Sequence, residues 1–256
     1  MTARAIWKGV IEFADLRVPV KFYSAVEDRN IHFHLLHDQD HARLKQQMVN
    51  SKTGRPVARG ETRKGLEVER GRFVIFDDEE LEQLTPKASR TIEIRQFVDP
   101  SLINHQWYVR PYWLGPDESS EEYFAFAEAL EKQQQEAVAV WVMRNKRYQG
   151  ALRSEGGYLC MITLRHAAEV ISIKQLDPPE GRPLDKRERR MAEQLVAALT
   201  DDFDAEQYHD EYRQRVMQLI DAKRRGEPFQ PDKDKEMPES DDLTASLQAS
   251  LKGLRK

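Results

Sequence analysis

The chain has 256 residues, of which 39% are hydrophobic and 33% are charged, and its formal net charge is -4. Its length suits one large domain or two small ones, and its charged fraction exceeds the roughly 25% of an ordinary soluble domain. A single cysteine, Cys160, excludes an intrachain disulfide and fits a reducing compartment. No apolar run reaches the roughly 18 residues of a membrane-spanning helix, and no secretion signal is visible, so we expect a cytoplasmic protein.

The first 180 residues or so have the pattern of β-strands. Apolar and polar residues alternate, or β-formers predominate, in ARAIWKGVIEF (3–13), RVPVKFYSA (17–25), IHFHLL, RFVIF, TIEIRQFV, QWYVRPYWL, AVAVWVMRN, YQGALRS and YLCMITL. Two predicted helices interrupt them. One is DDEELEQL (77–84), with acids at its N-terminal end, and the other is SSEEYFAFAEALEKQQQ, from 119, with serines placed to cap it. Many strands and few helices predict an α+β fold built on a closed barrel spanning 1–180.

Positive charge is concentrated in two segments of this acidic chain. Residues 41 to 75 carry nine Lys/Arg against three Asp/Glu, and residues 144 to 165 carry five against one. The first segment contains KTGRPVARGETRKG (52–65) and has too few apolar residues for a core, so we expect a projecting ribbon over about 41–75. Cations on strands and loops bind phosphates, whereas reading bases requires a rigid recognition helix. The predicted contacts to nucleic acid are Lys45, Lys52, Arg55, Arg59, Arg63, Lys64, Arg144, Lys146, Arg147 and Arg153.

The alternative is that both basic segments are solvated loops whose charge has no partner. Acidic residues are concentrated elsewhere, in DDEELE (77–82) and in residues 117 to 136, which carry seven acidic side chains and one lysine. Such segregation of charge is informative about binding partners rather than about the fold.

A helical arm is predicted at 181–226. Asp185 and Glu188 form an Asp version of the capping box, and a second helix is expected from near Asp204 to a stop before Gly226. The two helices present an apolar stripe that a second copy of the chain could cover, although the stripe could also fold back on the barrel. The predicted dimer contacts are Leu195, Leu199, Tyr208, Tyr212 and Val216.

A flexible polar tail is predicted at 227–256, where EPFQPDKDKEMPESDD is punctuated by proline. At its end Leu243, Leu247 and Leu251 are spaced for one face of a short amphipathic helix. So short a helix is marginal alone in water, and we expect it to fold on a partner.

Signatures of enzymes are mostly absent from the sequence. Gly60 to Gly65 has the glycine spacing of a P-loop, but Leu66-Glu67 follows where Lys-Ser/Thr is required. The alternative function is a metal-dependent nucleic-acid-processing enzyme that uses His32, His34 and His37, two of which would share one face of a strand. Cys160 with His166 could form a nucleophile and its base, but a buried apolar cysteine fits YLCMI better. We predict no catalytic residue, no metal site and no cofactor.

Six segments together closely resemble the bacterial Ku family. They are RAIWKGVIEF, VPVKFYSA, FHLLH, YWLGPDESSEEYFAFAEAL, RNKRYQGALR and DDFDAEQYHDEYRQRVMQLIDAK, in matching order from Arg4 to about Gly226. The resemblance implies a homodimeric protein of non-homologous end joining that binds double-stranded DNA ends. It implies a ring of two barrels and two bridges that threads onto a break, and helical arms that embrace the partner subunit. It also implies recruitment of a multifunctional ATP-dependent ligase, with the terminal leucine face as the docking candidate.

Three departures from the family pattern limit what the resemblance implies. The bridge stretch MVNSKTGRP lacks the cysteine pair of many bacterial members, which argues against a structural metal there. Ala14-Asp15 occupies a turn where Gly-Leu is more frequent in the family. The long lysine-rich extension of some members is missing from the sequence, so we expect no DNA contacts beyond the ring.

Overall fold

The structure is a computed structural model that describes residues 4–118, 120–177 and 185–229. The chain divides into two compact units. The first unit comprises Met1–Arg29 and Phe33–Gln175, and the second comprises Asn30–His32 and Leu176–Lys256. The predicted leucine face of Leu243, Leu247 and Leu251 lies outside the described residues.

Seven strands of the first unit form a closed barrel in the order β1-β2-β6-β9-β8-β7-β5. The strands are β1 Trp7–Phe13, β2 Leu16–Ser24, β5 Thr91–Val98, β6 Tyr108–Pro116, β7 Glu136–Met143, β8 Lys146–Glu155 and β9 Tyr158–Leu164. Neighbouring strands are antiparallel, except where β1 pairs in parallel with β5 and closes the barrel. The predicted α+β fold with a closed barrel is therefore confirmed.

The barrel interior is filled by the apolar side chains that alternate along these strands. Trp141 stacks on Tyr148 at 5.6 Å between ring centroids and also contacts Phe22. Fully burying an aliphatic or aromatic side chain of this size contributes about 1.5–3 kcal/mol, which is why the alternating pattern determines which face points inward. The strand residues of this core are Ile11, Val18, Val20, Phe22, Ile92, Tyr112, Leu114, Ala137, Ala139, Trp141, Met143, Leu152, Leu159 and Met161.

Helix α2 (Glu121–Gln133) packs across one end of the barrel, which we call the α2 end. Tyr123, on its buried face, donates its hydroxyl hydrogen to the Leu114 carbonyl and accepts the Leu159 N–H at 2.9 Å. Ser120 is the N-cap residue, but its side chain makes no capping hydrogen bond. The helix ends at Gln134, which adopts the left-handed conformation with φ 50°.

Residues 25–90 leave the barrel after β2 and return to it at β5. They contain the hairpin of β3 (Lys64–Glu69) and β4 (Arg72–Phe76), followed by α1 (Asp78–Gln83). The strand expected at IHFHLL is wrong, because residues 31–36 make only the isolated bridge Leu36↔Arg43. A strand needs a neighbour along its length, whereas residues 43–44 lie beside only the end of this segment, where the Leu44 N–H donates to the Leu35 carbonyl at 3.0 Å.

The second unit contains two helices, α3 (Lys186–Ala198) and α4 (Glu211–Arg225). The Asp185 carboxylate accepts the Glu188 N–H at 2.8 Å, and the Glu188 carboxylate accepts the Asp185 N–H at 2.9 Å, as the capping box predicts. No helix in the described ranges has the length and apolarity needed to cross a membrane.

Helix α4 was predicted to start near Asp204, but its N-cap is Asp210 and its first residue is Glu211. The Asp210 carboxylate accepts the Arg213 N–H at 2.8 Å. Asp204 instead caps a single 3₁₀ turn, Ala205–Gln207. Tyr208 therefore lies outside the helix, and its predicted place on the α4 face is wrong.

Candidate nucleic-acid interface

The two basic segments meet at the end of the barrel opposite α2. Residues 25–90 leave from the end of β2 and return at the start of β5. Because β7 is antiparallel to β5, with Ile92 opposite Trp141, the start of β5 lies beside the end of β7 and the turn that leads into β8. The ribbon and the β7–β8 turn, which are about 80 residues apart in sequence, thus share one end of the barrel.

Three clefts connect the cations at this end. One of about 350 Å³ is lined by Arg59, Arg63 and Lys64. A second, of about 390 Å³, is lined by both Lys64 and Asn145, and a third, of about 300 Å³, by Asn145, Arg90 and Arg144. We call the exposed cations along these clefts the cationic strip, and its members are Arg59, Arg63, Lys64, Arg90 and Arg144.

The β7–β8 turn projects Arg144 through a strained backbone. Met143 pairs with Lys146, and the two residues between them, Arg144 and Asn145, have φ of 51° and 61°. This two-residue turn matches strand twist, but a positive φ is costly for a residue with a long side chain, such as arginine. Arg147 follows in β8 opposite Val142, so the predicted contacts Arg144, Lys146 and Arg147 all lie at or beside the turn.

Acidic residues at the start of α1 compete with phosphate for two members of the strip. Lys64 Nζ lies 2.9 Å from Asp78 Oδ1, and Arg63 Nε lies 3.7 Å from Asp77 Oδ1. The hydrogen bond from Lys64 lowers the pKa of Asp78, so this carboxylate stays charged. Both pairs are exposed, and exposed ion pairs are weak enough for a polyanion to displace.

Replacing Asp78 with asparagine should increase the affinity for linear duplex DNA by a factor of about two to five, because Lys64 would no longer be neutralised. Fluorescence anisotropy at 100 mM and 200 mM salt would measure the change. Glu79→Gln is the matched control, since it removes the same charge from the same turn of α1. An equal increase in Glu79→Gln would show that only net charge matters and not the Lys64–Asp78 pair.

The remaining predicted contacts of the ribbon, Lys45, Lys52 and Arg55, are exposed and lie before Arg59 in sequence. Lys52 lies in a turn and Arg55 follows it, and the Asn50 side-chain carbonyl accepts the N–H of Lys52 at 2.9 Å and of Thr53 at 3.2 Å. In this chain an asparagine organises the turn of the MVNSKTGRP stretch.

Arg153 lies away from the strip, near the α2 end. Its Nη1 atom is 3.6 Å from Oε1 of Glu136, a carboxylate that is only 1% exposed. The Tyr108 hydroxyl donates to the other oxygen of Glu136 at 2.7 Å, and burial together with this contact raises the pKa of Tyr108. Arg153 therefore lies beside the buried Glu136 carboxylate. This contact could not be inferred from the residues next to Arg153 in the sequence.

The histidine cluster does not form a metal centre in the described ranges, where no three metal-ligating side chains converge. His34 Nδ1 lies 3.3 Å from Arg43 Nη2, and His37 Nδ1 lies 2.8 Å from Asp40 Oδ1. Cys160 is buried, and burial raises the pKa of its thiol, which opposes a role as a nucleophile. These contacts provide no geometry for the alternative enzyme.

The predicted dimer contacts differ in exposure. Val216 is buried and Leu195 half-buried, while Leu199, Tyr208 and Tyr212 are exposed. Tyr208 stacks on Phe203 at 5.4 Å between ring centroids. Four further exposed apolar residues of this unit were not among the predicted contacts, and among the described residues they are Leu176, Val196, Phe203 and Met217.

A closed barrel that gathers cations from two distant segments at one end defines a class of protein, a β-barrel protein with a cationic surface at one end. The family model described as the Ku70/Ku80 beta-barrel domain matches residues 12–196, so the chain belongs to the Ku family.

Three relatives are similar to the chain over most of their length. "Non-homologous end joining protein Ku 2" of Geotalea uraniireducens is 39% identical, over 98% of this chain and 99% of that protein. "Non-homologous end joining protein Ku" of Anaeromyxobacter sp. is 38% identical, over 99% and 87% respectively. The protein of the same name from Archaeoglobus fulgidus is 35% identical, over 96% and 99% respectively.

Proposed function

We propose that this protein binds the ends of double-stranded DNA, without sequence preference, in non-homologous end joining. The observation that carries the proposal is the convergence of the ribbon and the β7–β8 turn into one cationic strip. The relatives support it, because they are named as non-homologous end joining proteins and match nearly the whole of this chain. A DNA-end-binding protein of this kind works in the cytoplasm, at the nucleoid.

Binding is independent of sequence because the strip contacts phosphates and not base edges. Its cations come from loops, a tight turn and the first residue of β3. Reading the major groove usually requires several side chains on one rigid element that enters it, and the members of the strip do not share such an element. The nearest helix, α1, has only six residues and starts with acids that phosphates repel. Affinity should therefore fall steeply with salt, as counterion release requires.

Two copies of the chain form the working unit in this proposal. The described part of residues 25–90 exposes Phe33, Leu35, Phe73 and Ile75, which a monomer would leave in water. The second unit also exposes several apolar side chains, among them Tyr212. A second copy that covers these surfaces would join two ribbons into a ring around the duplex, with 181–226 as the dimerisation arm.

The ring would hold DNA ends for a separate ATP-dependent ligase. The chain has no nucleotide-binding motif, so sealing a break requires another protein. We propose that the leucine face of Leu243, Leu247 and Leu251, in the tail at 227–256, is the ligase-docking segment, because its amphipathic spacing suits a helix that folds in a groove.

A topological comparison tests the end-binding proposal. The full-length protein should bind a linear duplex tightly and the same duplex as a covalently closed circle at least about ten-fold more weakly, because a closed ring requires an end to thread onto. Gel-shift titrations at 100 mM and 200 mM salt would measure both affinities. Linear duplex blocked at each end by streptavidin is the matched control and should behave like the circle. Equal binding to all three would indicate an open cationic surface instead of a ring.

A further inference from the structure

An aromatic groove lies on the outer face of the barrel and has no lining residue in common with the clefts of the cationic strip. Tyr23 of β2 is paired with Trp113 of β6, so their side chains lie side by side on the outer face. Tyr158 begins β9, the next strand, and its side chain points to the same face. Together with Gly115 and Glu155 these three aromatics line a groove of about 380 Å³. We call it the β6 groove.

Gly115 makes room for the Tyr23 ring at the β6 groove because it has no side chain. A Cβ at this position would come within 3.1 Å of Cε2 of Tyr23, whose ring leans over the strand here. The flanking aromatics remain accessible, since Trp113 is 38% and Tyr158 53% exposed. Phe124 of α2 packs edge-on against Tyr158 at 6.2 Å and is 44% exposed, so the aromatic surface continues onto the helix.

The β6 groove has carboxylates at its rim and one guanidinium group beside it, since Arg110 donates from Nη2 to the hydroxyl of the lining residue Ser24 at 3.0 Å. Glu155 is exposed at its rim, and Glu121 and Glu122 lie in the first turn of α2, just before Phe124. Lys21, the nearest cation on β2, forms an ion pair with Asp117, and the distance from Nζ to Oδ1 is 2.7 Å. No cation lines the groove among the described residues. Among the described residues that line the groove, the charged one is Glu155. Glu121 and Glu122 belong to the acidic stretch 117–136, which contributes no residue to the cationic strip.

We propose that the β6 groove binds a protein segment that carries an aromatic or aliphatic anchor next to lysine or arginine. The anchor would lie in the groove between Tyr23, Trp113 and Tyr158, and the cation would pair with Glu155. Aromatic pockets of this kind dominate the energy of protein interfaces, and a neighbouring carboxylate selects for positive charge. Glu155 and Tyr158 lie at the α2 end of the barrel, whereas Tyr23 lies next to the end of β2, from which residues 25–90 leave. The β6 groove can be tested separately from DNA binding, because none of its lining residues belongs to the cationic strip.

Selection of random 12-residue peptides displayed on phage would test this proposal on the full-length protein. The double variant Tyr158→Ser/Glu155→Lys serves as the counter-target, so that peptides bound elsewhere are removed. We expect enriched peptides to carry a large apolar residue within two positions of lysine or arginine. The absence of enrichment over the counter-target, or an enriched acidic motif, would overturn the proposal.

An enriched peptide, labelled with fluorescein, would then be titrated against single variants. Tyr158→Ser should weaken its binding about ten-fold or more, as loss of an interface anchor does, and Glu155→Gln about two- to five-fold, as loss of an exposed ion pair does. Phe97→Ser is the control, because Phe97 is a comparably exposed aromatic outside the groove. Equal weakening in Phe97→Ser would contradict the assigned site.

The outcome can be separated from that of the DNA-end proposal. Tyr158→Ser should leave the affinity for linear duplex unchanged, because it removes no charge from the cationic strip. If an unlabelled duplex oligonucleotide displaced the peptide, the β6 groove would belong to the nucleic-acid surface, and the proposed protein partner would be wrong.

Discussion

Replacing Arg90 and Arg144 together with alanine should weaken binding to linear duplex DNA about ten- to hundred-fold at 150 mM salt, since each phosphate contact contributes separately. Both guanidinium groups line the same cleft between the start of β5 and the β7–β8 turn. The slope of log affinity against log salt should become shallower by about 2, because two fewer counterions are released. All duplex sequences should be affected alike.

Fluorescence anisotropy with two unrelated duplex sequences, over a series of salt concentrations, would measure this effect. Arg17→Ala is the matched control, because Arg17 is exposed at the β1–β2 turn near the α2 end and pairs with Glu12 at 3.0 Å. The control should bind like the unchanged protein. A loss confined to one DNA sequence, or an equal loss in Arg17→Ala, would contradict the assignment of the strip to phosphates.

Replacing Tyr212 with aspartate should convert the proposed dimer to a monomer and reduce end binding by at least about ten-fold. Tyr212 is exposed in the first turn of α4, so a charge there has little effect on folding of the chain itself. In the dimer the same carboxylate would be buried against apolar side chains, and an unpaired buried charge costs several kcal/mol. Sedimentation velocity would give the oligomeric state, and gel shift would give the affinity.

Gln214→Asp provides the control for this change, because it adds the same charge to an exposed polar position of the same helix. This variant should remain dimeric and bind DNA normally. A Tyr212→Asp protein that stayed dimeric with normal DNA binding would place the dimer interface elsewhere. In that case the exposed apolar residues between 25 and 90 would be the next surface to change.

The barrel presents two chemically different surfaces. The cationic strip, at the end opposite α2, suits a polyanion, and the β6 groove, on the outer face of β2, β6 and β9, suits an apolar and basic protein segment. Because the strands between them are rigid and closed, a partner in the groove need not compete with DNA on the strip. This arrangement offers a physical basis for holding a DNA end and a second protein at the same time.

Local features of the fold could be predicted from the sequence by itself. Alternation of apolar and polar residues predicted the barrel strands, because the inward face must leave water. The capping box of Asp185 and Glu188 predicted the start of α3, because its hydrogen bonds join residues three apart. The concentration of positive charge at 41–75 and 144–165 also predicted a polyanion partner. It could be read from the sequence because each group of cations lies in one continuous segment.

Predictions failed where a residue's partner lies far along the chain or where two local signals compete. IHFHLL has strand-like composition but no neighbouring strand in the described structure, and Asp204 and Asp210 are equally good caps, of which only the second starts α4. Cross-strand pairing placed Arg90 beside Arg144, Arg153 beside the buried Glu136, and Tyr23 beside Trp113. The sequence alone determined the strands and the charges. Closure of the barrel decided which side chains meet, because it pairs strands that lie far apart in the sequence.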